Sequence, residues 1–271
     1  MNLPIYHIDA FASEVFKGNY AAVVPLERWL PPTLMQAIAA ENNLSETAFF
    51  VQNAEGVFDI RWFSPLTEIA FCGHATLASA YVLFELFKDK DVLVFDCPAT
   101  GRISVSRRPD GLIEMSFPLR AVEPLLEVPS GLAKGLSIQP KELWISRQAY
   151  IAIFENETEV RAVVPDLPLL ATLAPRDVVV TSRGDNCDFV SRYFWPANGG
   201  DEDPVTGSIH AALAPLWATR LGKSALFAVQ VSRRTGQLHC VVNDDRVFVS
   251  GTAVEYLRGT IQVPGYLDAL A

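Results

Sequence analysis

Residues 73–87 read GHATLASAYVLFELF and residues 207–221 read GSIHAALAPLWATRL. Each stretch opens on glycine, and each carries one charged side chain, Glu85 in the first and Arg220 in the second. Both have the length and composition of helices, with no polar face. A helix that is apolar all round has to be buried on all sides. The natural place for it is inside a sheet that wraps around it.

The flanks of the two stretches also match. Upstream, Arg61-Trp62-Phe63-Ser64-Pro65 parallels Arg192-Tyr193-Phe194-Trp195-Pro196. At the helix starts, Gly73-His74 parallels Gly207-Ser208. Downstream, Thr100-Gly101-Arg102-Ile103 parallels Thr235-Gly236-Gln237-Leu238. The matched pairs stand 131, 134 and 135 residues apart. Three short matches in one order at a nearly constant offset point to a duplication. Each half is then a strand–loop–buried helix–strand unit.

Alternating or β-branched runs recur along the rest of the chain: Ile5–Asp9, Ala21–Pro25, Phe49–Gln52, Phe58–Phe63, Val92–Phe95, Val160–Val164, Asp177–Thr181, Phe227–Val231 and Arg246–Val249. Turn residues separate them, so they read as strands. A short helix is expected after Pro31-Pro32, with Leu34, Met35 and Ile38 turned inward. The three prolines of Pro118–Pro129 predict a linker rather than sheet. This divides the chain into an N-terminal lobe, 1–118, and a C-terminal lobe, 119–258. The C-terminal segment 259–271 is a candidate addition to the first lobe.

Composition narrows the function. The 271 residues are half hydrophobic and one-fifth charged, with a formal net charge of −9. A protein that grips a phosphate backbone carries a basic stripe, and none is visible, so nucleic acid is not an expected partner. No apolar run approaches the ~18–20 residues that span a bilayer. Ala75–Phe87 comes closest and Glu85 interrupts it, so no membrane association is expected. Met1–Asp9 is strand-like rather than leader-like. Cys72, Cys97, Cys187 and Cys240 are scattered, which reads as free thiols in a reducing compartment, and the expected location is the cytoplasm.

Chemistry points to the two helix starts. Both Phe71-Cys72-Gly73-His74-Ala75-Thr76 and Asp203-Pro204-Val205-Thr206-Gly207-Ser208 run from a loop into a buried helix. Helix N-termini offer unpaired N–H groups and partial positive charge, and glycine lets a ligand come close. Two such ends facing one another across a lobe interface would cradle an anion, most simply a carboxylate. The alternative is ordinary capping by Thr206 or Ser208. Glu46, in Asn43-Leu44-Ser45-Glu46-Thr47-Ala48-Phe49, stands beside an apolar strand, where a carboxylate suits a proton shuttle; its alternative is a turn cap. His74 can hold or deliver a proton, and Asp203 adds a carboxylate. His7, His210 and His239 receive a structural reading. The consecutive acids Asp201-Glu202-Asp203 diverge and lack a metal-ligand spacing, so no metal is expected. There is no GxGxxG, GxxxxGK[ST] or GxSxG sequence to imply a nucleotide cofactor or a serine nucleophile.

Together, the segments around Glu46, Cys72-Gly73-His74 and Glu202–Ser208 resemble the signature segments of phenazine biosynthesis-like (PhzF-like) proteins. Asp9-Ala10-Phe11 and Gly18-Asn19 resemble that family's N-terminus. The resemblance implies an α+β, diaminopimelate epimerase-like fold: two pseudo-symmetric lobes, each a curled, mostly antiparallel sheet around a central buried helix, with a cleft between them and a homodimer. It implies a cofactor-independent isomerase acting on a small acidic metabolite. Glu46 is then the acid/base, with His74 and Asp203 assisting as catalytic residues. Gly73, Gly207 and Ser208 hold the substrate carboxylate, and Cys72 and Thr206 line the same site. Two departures stand out. Asn19 is followed by Tyr20 where the family often has proline. Related two-thiol epimerases carry cysteine before glycine at both helix starts, whereas here Cys72 is matched by Thr206, a poor base. A rival reading is an epimerase or racemase of amino or hydroxy acids using Glu46 and Cys72 as unlike bases; another is a metabolite-binding protein without turnover.

Overall fold

The chain opens with strands β1 (Asn2–Ala10) and β2 (Asn19–Leu26), joined by a loop whose Phe16 N–H donates to the buried Asp9 carboxylate. Helix α1 (Pro32–Asn42) follows, then β3 (Glu46–Gln52), β4 (Phe58–Phe63), the short β5 (Glu68–Ile69), helix α2 (Gly73–Leu86), β6 (Val92–Cys97), β7 (Gly101–Arg107) and β8 (Ile113–Pro118). The second half runs β9 (Glu123–Pro124), α3 (Ser130–Lys134), β10 (Glu142–Ile145), β11 (Ala149–Ile153), α4 (Glu157–Ala162), α5 (Leu167–Ala171), β12 (Asp177–Arg183), β13 (Phe189–Phe194), β14 (Glu202–Asp203), a 3-10 turn at Gly207–Ile209, α6 (His210–Leu221), β15 (Ala225–Gln230), β16 (Gly236–Asn243) and β17 (Arg246–Gly251). The last strand is β18 (Ala253–Gln262). The structure, a computed structural model, describes residues 1–97 and 101–263. Thr100 of the downstream repeat and residues 264–271 of the candidate C-terminal addition lie outside the described residues.

The chain divides into two units. One is Met1–Ser116 with the chain returning from Gly251; the other is Phe117–Ser250. In the first, the strands pair in the order β18–β1–β2–β3–β4–β6–β7–β8. The β2–β3 and β4–β6 pairs are parallel and the rest antiparallel. Helix α2 touches β1, β2, β3, β7 and β18. In a flat sheet β18 and β7 would stand six spacings apart, roughly 29 Å, while a helix is only about 10 Å across. The sheet therefore curls around α2. Leu77, Ala78, Val82, Leu83 and Phe84 are all buried. Ser79 and Thr76 satisfy their hydroxyls on the helix itself, donating to the carbonyls of Ala75 and Cys72. On the other side of the sheet, Met35, Ile38 and Ala39 of α1 pack on Ile5, Ala22, Val24, Phe49 and Phe63.

The second unit repeats this plan: β9–β10–β11–β12–β13–β15–β16–β17, parallel at β11–β12 and β13–β15 and antiparallel elsewhere. The sequence repeat falls on equivalent places. Arg61 on β4 forms a two-point ion pair with Glu68 of β5 and lies over the Phe63 ring. Arg192 on β13 pairs in the same way with Glu202 of β14 and lies over Phe194. Trp217 of α6 stacks on Phe189 and donates to Thr181 Oγ1.

Two expectations need correction. Val160–Val164 is not a strand; Val160 to Ala162 lie on α4, Val163 is its C-cap and Val164 follows it. The Asn156 side chain accepts from Glu159 N at 2.9 Å, and Arg161 pairs with Glu157 one turn back. A cap and an i,i+4 ion pair override β-branched propensity over so short a run. Pro118–Pro129 is not wholly outside the sheet either. Pro118 ends β8, and Glu123-Pro124 pairs with Ile145 and Trp144. Prolines at a strand end or an edge leave the ladder intact.

Candidate active site

In the first unit, three elements bring four side chains together. Helix α1 ends at Asn43, whose left-handed backbone (φ 49°) turns the chain sharply into β3. Glu46 is the first residue of β3 and pairs with Ala21 of β2. Asn19 opens β2 two residues earlier, after Gly18 at φ +64°. His74 lies in the first turn of α2, and Cys72 is its N-cap. All four side chains are buried.

His74 Nε2 stands 2.8 Å from Glu46 Oε2. This is an ion-pair contact without a well-directed N–H, and among the described residues Oε2 has no aligned hydrogen-bond donor. Asn19 Nδ2 lies 3.0 Å from His74 Nδ1, and Cys72 Sγ 3.4 Å from the same atom. The neutral ring, with its proton on Nε2, satisfies Asn19 as placed. The imidazolium needs an acceptor at Nδ1, which the same amide supplies when turned over. Burial disfavours the imidazolium, but the Cys72 sulfur and the Glu46 carboxylate act the other way and hold His74 well above its ordinary value. Burial, then the Glu46 charge, pushes the Cys72 thiol up to about 11. The cysteine is therefore a neutral thiol near pH 7.

The N–H groups of Gly73, His74 and Ala75 precede the first intrahelical bond of α2, from Thr76 N to Cys72 O. The Ala75 N–H is taken by the Cys72 sulfur, which leaves those of Gly73 and His74 for a ligand. No side chain caps this helix.

In the second unit, Thr206 does not cap its helix either. Its hydroxyl donates to the Asp203 carboxylate. Gln230 braces the loop, accepting from Thr206 N at 2.9 Å and donating to Asp203 O at 2.6 Å. Asp203 stands opposite Tyr193 in the β13–β14 ladder. Ser208 Oγ accepts from Gln148 Nε2 at 3.0 Å. His210 has the backbone partner expected of a structural histidine, Thr206 O at 2.9 Å, and burial lowers it to about 4.

The expected residues thus fall into two groups. Glu46, Cys72, Gly73 and His74 converge in the first unit; Asp203, Thr206, Gly207 and Ser208 gather at one loop and helix start in the second. Sequence reading assigned no role to Asn19, Gln148 or Gln230. Asn19 had a signal in its Gly-Asn pair, but the two glutamines had none. Among the described residues, Glu46, Cys72 and His74 offer three donor atoms within 4.8 Å, a set that would suit a soft divalent cation as well as a proton. In contrast, Glu202 is taken by Arg192 and Asp203 by Thr206. Two surface hollows of the first unit, one lined by Ile60, Arg61 and Trp62 and the other by Leu34, Ile38 and Ile261, contain none of the site residues.

The family model described as "Phenazine biosynthesis-like protein" matches residues 8–259. An uncharacterized isomerase of Pseudomonas aeruginosa is 45% identical over 97% of this chain and all of its own length. The crystal structure of a phenazine biosynthesis protein of the PhzF family from Enterococcus faecalis is 41% identical and superposes with a TM-score of 0.92 over 97% of this chain and 100% of that one. A predicted epimerase from P. aeruginosa, 20% identical, superposes with a TM-score of 0.74 over 97% of this chain and 100% of its own. That last likeness is one of fold. The α+β, diaminopimelate epimerase-like architecture is the fold of this chain.

Proposed function

The chain belongs to the phenazine biosynthesis-like family, and from that premise we propose that it is an isomerase that moves a proton between carbons of a small carboxylate-bearing metabolite. The observation that carries this reading is the buried Glu46–His74 contact of 2.8 Å. Glu46 takes a proton from a carbon next to an activating group. His74 stabilises the carboxylate before the transfer and shares the proton after it. Asn19 fixes the ring so that Nε2 stays on Glu46. Gly73 and Gly207 amides, with Ser208, Thr206 and Asp203, bind the substrate and stabilise negative charge as it develops. The reaction as proposed is cofactor-independent, with Glu46 as the base and the helix-start amides stabilising the developing charge. A homodimer in the cytoplasm belongs to the same reading; sedimentation at twice the 29.8 kDa chain mass tests the dimer.

One observation favours a second reading. Cys72 Sγ lies within 3.4 Å of His74, so an epimerase with Glu46 and Cys72 as unlike bases has both groups in place. A thiol held at about 11 is poorly suited to that task.

The test is proton–deuterium exchange in D₂O, read by NMR or mass spectrometry. Dihydro-hydroxyanthranilate and a panel of small cyclic and amino acids are incubated with wild type and with Glu46→Gln. Deuterium entering one compound with wild type only supports the isomerase and its base together. Exchange that persists in the variant moves the base elsewhere, to Cys72 first. No exchange with any compound favours a binding protein without turnover.

A further inference from the structure

Arg120 drew no notice in the sequence, yet the structure fixes it at both ends. Pro215 lies inside α6 and has no N–H, so the Ala211 carbonyl one turn earlier loses its intrahelical donor. The backbone N–H of Arg120 fills that gap at 3.0 Å. The residue is thereby pinned to the first turn of the buried helix, next to Ser208.

Its side chain is held just as specifically. Arg120 Nη1 donates to Gln148 Oε1 at 3.0 Å, which sets the orientation of the Gln148 amide. Gln148 Nε2 then faces two oxygens, Ser208 Oγ and Tyr193 OH, both at 3.0 Å. The Tyr193 O–H donates to Asp177 Oδ2 at 2.7 Å, and Asn198 Nδ2 donates to the other Asp177 oxygen. The chain of donors has one direction, and it leaves the Ser208 oxygen accepting. The Ser208 O–H is therefore available to donate.

One amide group thus separates a serine hydroxyl from a guanidinium that still has donors to offer. Arg120 is half-buried, and among the described residues no carboxylate pairs with it. Its charged neighbour is another cation, Arg147, on the exposed β10–β11 turn; burial and then that repulsion disfavour its charged form. The chain carries a net charge of −9 and at least eight of its sixteen arginines are paired with a carboxylate, whereas Arg120 keeps donors to offer an anion.

We propose that Arg120, set by Gln148 beside the Ser208 hydroxyl, reads the carboxylate of the substrate. Its planar fork suits a carboxylate's two oxygens. The inference rests on the reading of Ser208 as a substrate-binding residue and narrows the substrate to an acid anchored through its carboxylate. Gln148 is a positioning residue, acting through both partners.

The test is equilibrium binding to the full chain by calorimetry. The ligands are benzoate, 2-furoate and cyclohexanecarboxylate, each beside its neutral amide. Wild type is expected to bind at least one acid more tightly than the matching amide. Arg120→Gln should lose about 10- to 100-fold in affinity for that acid, the worth of a charge-assisted pair, with amide binding unchanged. Arg120→Lys should restore part of the preference, and Gln148→Leu should weaken it. Circular dichroism and a thermal melt establish that each variant is folded. The inference is overturned if wild type prefers no acid over its amide, or if folded Arg120→Gln keeps the preference. Failure of the isomerase reading is separate. Deuterium exchange insensitive to Glu46→Gln, with the Arg120-dependent acid preference intact, removes the assigned base and leaves the carboxylate reader standing.

Discussion

Glu46→Gln separates proton transfer from structure at one atom. The glutamine has nearly the same shape, and its carbonyl oxygen can take the place of Oε2 beside His74 Nε2, 2.8 Å away in wild type. What disappears is the basic carboxylate. General acid–base catalysis by a positioned side chain contributes about 10²–10⁴-fold, equivalent to about 3–5 kcal/mol of barrier. The structural cost is smaller. Truncating one partner of a buried ion pair costs about 3–5 kcal/mol because it strands the other charge, whereas an isosteric amide that keeps an acceptor costs about 1–3 kcal/mol. The variant should thus fold, melt cooperatively and lose deuterium incorporation by at least about a hundredfold. The assay is incorporation per unit time in D₂O at saturating substrate, with stability measured by denaturant titration on the same preparation. A folded Glu46→Gln protein that exchanges within tenfold of wild type would refute the assignment of the base.

Three further outcomes follow from the same geometry. Cys72→Ser should retain exchange within about tenfold if Glu46 alone is the base, and a total loss in folded protein would favour the two-base epimerase. The folded-state pKa of His74 lies above its unfolded value of 6.5, so protonated His74 favours the folded chain; that contribution is complete below about pH 6.5 and fades as pH rises through the folded value. Denaturant titrations from pH 6 to 9 should show a wild-type stability, relative to His74→Gln, that declines with pH, and a difference that grows with pH contradicts the raised value. Gly18→Ala would place a Cβ 2.1 Å from Ala10 O at φ +64°, with Asn19 next in line to shift away from His74. It should destabilise by at least about 1–3 kcal/mol, and an unchanged urea midpoint would show that the β1–β2 loop is not the constraint it looks.

The sequence by itself determined the buried helices, because an apolar stretch with no polar face has few places to go, and it determined the repeat, because duplication leaves matched residues at a constant offset. It also marked Glu46, His74 and the two glycine-led helix starts, whose residue types carry their chemistry in any setting. It misread Val160–Val164, where a capping asparagine and one ion pair outweighed β-branched propensity. Only the tertiary structure decided what Asn19, Gln148, Gln230 and Arg120 do. Their roles depend on which buried groups they face: Asn19 on His74 fifty-five residues away, Gln148 on Ser208 sixty residues away. A glutamine or an arginine has no local pattern that distinguishes a solvated side chain from one that completes a polar network. That distinction is made when the chain folds and every buried donor has to find its acceptor.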